Sequence, residues 1–507
     1  MGKITYKIEA KPDPLPPLGR LTRYFANWEH LGTTRKRARW GVLKGEAIAL
    51  LAMAFFLAGC SPSVVIRDAK TNAPGEIKSL KSELKDATDG VLLVFVHGVG
   101  DHCPGYALNE SDGWLNQDAQ KELSLHEVAD SYKEVPLQDP AHWNNSPDPA
   151  STYTVAKREF DYSLGGKTSR LRAVELTWSG LTRWVKTKQL GYDLTEPVAK
   201  TPCTNEIPKE FDQPRVLVNR ILKEQTLDRL LSDAVLYVGS YGTKINFAMA
   251  DSLCRALTDD FDSSNCDWAA AQTESAKART VIFVTHSLGS RIVYDTLLEM
   301  TGQQQARAVI AFDHGSTTAQ RGAVASNVLQ RNAATFMMAN QLPLLGLTYV
   351  PPQYRSEDKD TPYLRNFRLD VPFAFAFPAG PTGVPLNAPP QEVLPQLTCG
   401  ANPVACAALV RTTDQPPMEV VAFSDTNDLL TYAVSKPYAT DSTGTSETSA
   451  RFHFTNAYVH NSPRVLWLFE NPGPAHTQYF FNPSVRRVII CGGKNREITS
   501  CKLGDQP

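Results

Sequence analysis

Residues 281–298 read VIFVTHSLGSRIVYDTLL, and the period of their apolar side chains changes halfway along. Val281 to Val284 form an uninterrupted apolar run rich in β-branched side chains, the pattern of a strand buried on both faces. Past the turn, Ile292, Val293, Leu297 and Met300 recur at helical spacing. A strand that stops at Ser287 and passes at once into a helix places the serine hydroxyl at the carboxyl edge of a sheet, beside the positive end of a helix dipole. The neighbours of such a serine must be small because strand and helix crowd the turn. Gly289 and Ser290 meet that need. Thr285 stands where the usual Gly-x-Ser-x-Gly frame has its first glycine. It is compact and suits the strand that it ends, so the expected effect is tighter packing and not loss of the turn.

Working outward, GVLLVFVHGVG (90–100) is a second doubly buried strand, followed by LRAVELTWSG (171–180), ATFMMANQLPLL (334–345), MEVVAFSDTNDLL (418–430), RVLWLFENPG (464–473) and RRVIICG (486–492). Apolar strands alternating with helical text predict an α/β fold with a parallel sheet. Two inserts interrupt it. Residues 181–279 include VLVNRILKEQTLDRLLSDAVLYVG, which is amphipathic and is expected to form a helical cap. Thirteen of the 35 prolines fall between Pro351 and Pro417, so the insert at about 346–417 is expected to be an irregular surface excursion.

VTHSLGS resembles the nucleophile elbow of the α/β-hydrolases, in the variant form of lipase-like serine esterases, and FVHGVG (95–100) resembles the oxyanion loop of that fold. The resemblance covers residues 91–100, 281–300 and 418–492. It implies a mostly parallel central sheet flanked by helices, Ser287 as nucleophile, and an oxyanion hole made by the backbone N–H groups of Val99 and Leu288. His97 is expected to order the oxyanion loop, His286 to pack or hydrogen-bond beneath the site, and Trp178 to pack in the core.

The acid should follow the serine, and SDTNDLL offers Asp425 and Asp428. Asp428, just before an apolar pair, matches the family pattern, whereas Asp425 suits a turn or cap. AHTQYFFNPSV resembles the AHxxY region in which related hydrolases carry their histidine in a loop before a final strand, which implies His476 as the base. His453 and His460, in FHFTNAYVHNSP, are the competitors and are expected to be structural. The order Ser287, Asp428, His476 is that of the α/β-hydrolase triad. It implies acyl transfer to serine, with His476 taking the hydroxyl proton, Asp428 orienting the imidazole, and water releasing the acyl group.

The N-terminus carries a different message. Arg35, Lys36, Arg37, Arg39 and Lys44 precede an apolar run from Ala47 to Ala58, which ends in Leu57-Ala58-Gly59-Cys60. Charged, apolar and small residues in that order make a secretory signal, and the run is too short for a membrane span. LAGC resembles the bacterial lipobox, which implies lipid on Cys60 and a membrane-anchored lipoprotein of the cell envelope. The residues before the apolar run are long for such a signal, and translation is expected to begin near Val42. Residues 1–60 are thus expected to be extension and signal, 61–88 a tether, and 89–507 the hydrolase domain.

Eight cysteines remain besides Cys60, an even number that suits disulfides in an oxidising compartment. The pairs Cys254/Cys266, Cys399/Cys406 and Cys491/Cys501 are close enough in sequence to staple local loops. With no C-x-x-C or H-E-x-x-H spacing, neither a metal nor another cofactor is expected. A net charge of −1 gives no reason to expect a nucleic-acid partner. The expectation is therefore an envelope-anchored serine esterase or lipase acting on an acyl ester, its partner the membrane. The alternatives are a non-catalytic binding lipoprotein, or an acyltransferase or amidase with the same triad.

Overall fold

The uninterrupted apolar run at Val91–Val96 forms β3, buried on both faces as its lack of alternation requires. Leu92, Val94 and Val96 enter one apolar core, and Val91, Leu93 and Phe95 enter the other. The computed structural model describes residues 64–138, 152–300, 318–341, 344, 418–434, 452–461 and 472–499, except 165, 199, 201, 202, 204, 205 and 278. All of them lie in one compact unit, Pro62–Pro507.

Before β3 come β1 (Val65–Asp68), β2 (Glu76–Ile77) and α1 (Leu80–Asp86). After it follow α2 (Gln117–Glu122), β4 (Leu125–Glu127), β5 (Lys133–Gln138) and the long hairpin β6 (Thr152–Leu164) and β7 (Lys167–Thr177). The helices α3 (Gly180–Leu190), α4 (Leu217–Arg220), α5 (Ser232–Val238), α6 (Tyr241–Thr258) and α7 (Trp268–Ser275) lead to β8 (Thr280–His286). Then come α8 (Leu288–Met300), α9 (Thr318–Arg331), β9 (Asn332–Met338), β10 (Met418–Asp425) and β11 (Phe452–Val459). The chain closes with α10 (Pro472–Thr477), α11 (Pro483–Cys491), β12 (Gly493–Lys494) and β13 (Glu497–Ile498).

The main sheet runs β1-β11-β10-β9-β8-β3-β7-β6-β4, with β5 also paired to β6. From β11 to β7 all neighbours are parallel, and β1, β4, β5 and β6 add antiparallel edges. The fold is therefore mixed α/β, with a largely parallel central sheet between two helical layers. One face is covered by α6, α7, α8 and α9, the other by α1 and α11. The chain leaves β3 toward β7 and leaves β8 toward β9. Neighbouring central strands thus send their connections in opposite directions, and the carboxyl ends of β3 and β8 lie at the point where open α/β sheets place their ligands.

Several expectations are corrected. Most of the segment 61–88 is not a free tether, because β1 pairs with β11 and Ile66, Ile77, Leu80 and Leu84 are buried. These apolar side chains recur too often for solvated linker text. Residues 486–491 form the end of helix α11, with Gly492 as its C-cap, and not a final strand. Asn482 caps it through Ser484 N, Pro483 opens it, and Val485, Val488 and Ile489 keep helical spacing. The insert 181–279 is helical as expected but not all cap, since α6 is almost wholly buried against the sheet. The antiparallel hairpin arm β6 was not foreseen. The Pro-rich insert, residues 464–471 and everything before residue 64 lie outside the described residues. Among those described, no helix is long and apolar enough to cross a membrane.

The helical stretch between α3 and α6 is patterned inside out. Between residues 216 and 238, Val216, Leu217, Ile221, Leu222, Leu227, Leu231, Val235 and Val238 are exposed, while Glu224, Asp228 and Asp233 are buried. Its middle, Ile221–Leu231, is wound with the wider i→i+5 pitch. The buried carboxylates face cations: Glu224 meets Arg215, and Asp233 meets Lys186.

Candidate active site

Ser287 sits between β8 and α8 with φ of 51°, a left-handed conformation that serine seldom adopts. The surroundings hold it there. Its N–H donates to the Met338 carbonyl at 2.7 Å, and its own carbonyl accepts from Ser290 N at 3.2 Å. The turn tolerates no bulk beside it. A Cβ on Gly289 would lie 2.4 Å from the Val96 carbonyl oxygen, and one on Gly98 would lie 2.5 Å from Ser287 Cβ. These two close approaches account for glycine at both positions. They also put the HGVG loop that follows β3 directly against the serine.

Thr285 is accommodated by hydrogen bonding. Its hydroxyl lies 2.7 Å from Ser290 Oγ and donates to the Phe336 carbonyl at 3.3 Å, so it ties the end of β8 both to the first turn of α8 and to β9.

His476 lies in α10, not in a loop. Its Nε2 is 3.0 Å from Ser287 Oγ. Its Nδ1 is 2.9 Å from both carboxylate oxygens of Asp428. A carboxylate can only accept, so Nδ1 carries the proton and Nε2 is left to accept from the serine hydroxyl. All three residues are buried. Asp428 also accepts from Leu430 N at 2.9 Å and from the Tyr479 hydroxyl at 3.3 Å, and that hydroxyl in turn accepts from Asp425 N. Tyr479, three residues after His476, was not singled out from the sequence, although the AHxxY text contains it.

The competitors are placed elsewhere. Asp425 accepts from Asn427 N and Asn461 N and shapes the turn after β10. His453 bonds to Glu419 and Asp68, and His460 Nδ1 is 4.0 Å from Asp425.

His97 orders the loop as expected. Its Nε2 accepts from Trp178 N at 3.1 Å and its Nδ1 donates to the Gly98 carbonyl at 2.7 Å. Burial, with His102 alongside, pushes its imidazole well below the usual histidine value and keeps it neutral. Trp178 is buried and stacks on His97, but it also donates through Nε1 to the His97 carbonyl at 3.0 Å, a role beyond packing. The loop's far side is fastened as well. Gly100 N donates to Asp233 at 2.7 Å, and a disulfide joins Cys103 to Cys203. Burial would raise the Asp101 carboxyl, but Lys186, Arg183 and Arg229 outweigh it and hold the carboxyl below its ordinary value.

Glu175 on β7 is a buried carboxyl inside an apolar strand, and no motif in the sequence marks it. It accepts from the backbone N–H of Gly105, of Ala107 at 2.9 Å and of Leu108 at 3.0 Å. Burial pushes its carboxyl up to about 7 against the pull of those three donors.

Of the expected staples, Cys254–Cys266 is formed, and Cys491 is disulfide-bonded to a partner outside the described residues. Cys399, Cys406 and Cys60 also lie outside them. The Cys103–Cys203 bridge spans 100 residues of sequence, and no local spacing announces it. Among the described residues no cluster of three or more His, Cys, Asp or Glu side chains could hold a metal ion. The site thus brings a hydroxyl, an oriented imidazole and a buried carboxylate into line beside a glycine-rich loop, the arrangement that nucleophilic acyl transfer requires. The chain matches no protein-family model and no curated protein.

Proposed function

We propose that the protein is a serine hydrolase of carboxylic esters, with Ser287 as nucleophile, His476 as general base and Asp428 as its orienting acid. The observation that carries this reading is the continuous path from Ser287 Oγ through His476 to Asp428, with contacts of 3.0 and 2.9 Å. Ser287 Oγ attacks the ester carbonyl while its proton passes to His476 Nε2. The imidazolium, stabilised by Asp428, then protonates the departing alcohol oxygen. Water, deprotonated by the same nitrogen, attacks the acyl-enzyme; the acyl–Oγ bond breaks, His476 returns the proton to Ser287 Oγ, and the carboxylic acid is released. The N–H groups of Val99 and Leu288 are proposed to receive the oxyanion, because Gly98 abuts Ser287 and Leu288 opens α8.

The fold supports an α/β-hydrolase reading. Serine after β8, aspartate after β10 and histidine following β11 occur in the chain order of that triad, at the carboxyl side of a largely parallel sheet. The N-terminal LAGC text supports a further proposal, that Cys60 is lipidated and anchors the enzyme in the bacterial envelope. Para-nitrophenyl esters of graded acyl length test the activity. Hydrolysis by the wild type that is lost in Ser287→Ala supports the reading and ranks esterase against lipase. Equal rates for the two proteins would refute it.

A further inference from the structure

His286, the last residue of β8, is buried and sits between two parts of the site. Its Nε2 is 3.0 Å from the backbone carbonyl oxygen of His476. A carbonyl only accepts, so Nε2 carries the hydrogen. Burial keeps the imidazole well below the usual histidine value, which leaves the ring neutral and Nδ1 with a lone pair. Among the described residues that Nδ1 has no hydrogen-bond partner. Its edge lies against the oxyanion loop, since a Cβ on Gly98 would stand 2.8 Å from it. The ring edges are packed by Phe480 in a T-shaped contact at 5.6 Å and by Tyr479 at 6.0 Å.

A buried nitrogen without a partner costs stability that a phenyl or aliphatic side chain of similar size would not cost. What the imidazole adds in return is its one N–H, and that N–H is aimed at the backbone of the residue whose side chain faces Ser287. We propose that His286 is a positioning residue: its Nε2–H holds the main chain of His476 while its opposite edge supports Gly98. One ring then sets both the reach of His476 Nε2 to Ser287 Oγ and the approach of the loop carrying Val99. The residue does not touch the reacting atoms. It acts through His476 and through the loop.

This inference rests on reading Ser287 and His476 as nucleophile and base. The test compares wild type, Ser287→Ala, His286→Gln and His286→Met on a short-chain para-nitrophenyl ester, with thermal melts alongside. Glutamine keeps a donor within reach of the carbonyl, and methionine keeps length and apolar bulk without one. Met is expected to lower kcat on the order of 10- to 100-fold, the scale of a misplaced catalytic group, with KM within about twofold. Gln is expected to recover most of the loss. Equal kcat for the two variants, or a Met variant as fast as wild type, would overturn the role of the N–H. If Met fails to fold, Gln decides alone: a wild-type-like melt with kcat down by the full factor overturns the proposal, and near-wild-type kcat supports it. A wild type no faster than Ser287→Ala would instead sink the hydrolase reading, and this role with it.

Discussion

The hydroxyl of Thr285 lies 2.7 Å from that of Ser290, across the turn that presents Ser287. Threonine in place of the usual glycine is thus a tie and not a defect. Thr285→Val should leave the Ser290 hydroxyl short of a partner and destabilise the fold by about 1 kcal/mol in urea unfolding. Thr285→Ser should not. Activity should survive in both, because the left-handed φ belongs to Ser287.

Gly98 and Gly289 have no such latitude. Alanine at Gly98 drives a methyl to 2.5 Å from Ser287 Cβ, and alanine at Gly289 drives one into the Val96 carbonyl at 2.4 Å. Neither obstacle is a flexible side-chain end. Ester hydrolysis should drop on the order of 100-fold in Gly98→Ala, and Gly289→Ala should also lower the melting temperature. Wild-type rates in Gly98→Ala would mean that the loop does not abut the serine.

Glu175 makes stability depend on pH in a direction unusual for a carboxylate. Its folded value of about 7 is raised above the ordinary glutamate value of 4.5, so the folded state holds a proton that the unfolded chain has released. Stability from this group therefore falls as pH rises from about 4.5 to 7. The full effect is on the order of 3 kcal/mol. In Glu175→Gln that part of the pH dependence should vanish, which chemical denaturation at pH 5 and pH 7.5 would read.

The Cys103–Cys203 bridge closes a long loop and ends three residues past Gly100. Cys203→Ser should cost about 5 kcal/mol by the loop-closure argument for a 100-residue separation. It should also slow the proposed hydrolysis, because one anchor of the 97–100 loop beside Ser287 is lost. Loss of stability with unchanged kcat would show that Asp233 and the cations around Asp101 fasten the loop without help.

Much of the site was legible because its chemistry is local in sequence. The strand-to-helix change of period around Ser287, the HGVG text, Asp428 before its apolar pair and the AHxxY stretch each sit where the structure brings them together. Two kinds of feature were not legible. One depends on partners far along the chain: Cys203 with Cys103, Glu175 with the 105–108 backbone, and His286 with the carbonyl of His476. The other depends on choices that short apolar runs leave open. RRVIICG suits strand or helix, and only the Asn482-Pro483 start decides for helix. The β6 arm mixes charged and apolar residues, and what defines it is pairing with β7 through eleven registered positions.

If Ser287 is the activated nucleophile proposed above, fluorophosphonate labelling followed by peptide mass mapping will find it. A single covalent adduct is expected on the peptide containing Ser287, absent in Ser287→Ala and formed far more slowly in His476→Ala. Equal labelling of wild type and Ser287→Ala, or an adduct mapped to another residue, would contradict it.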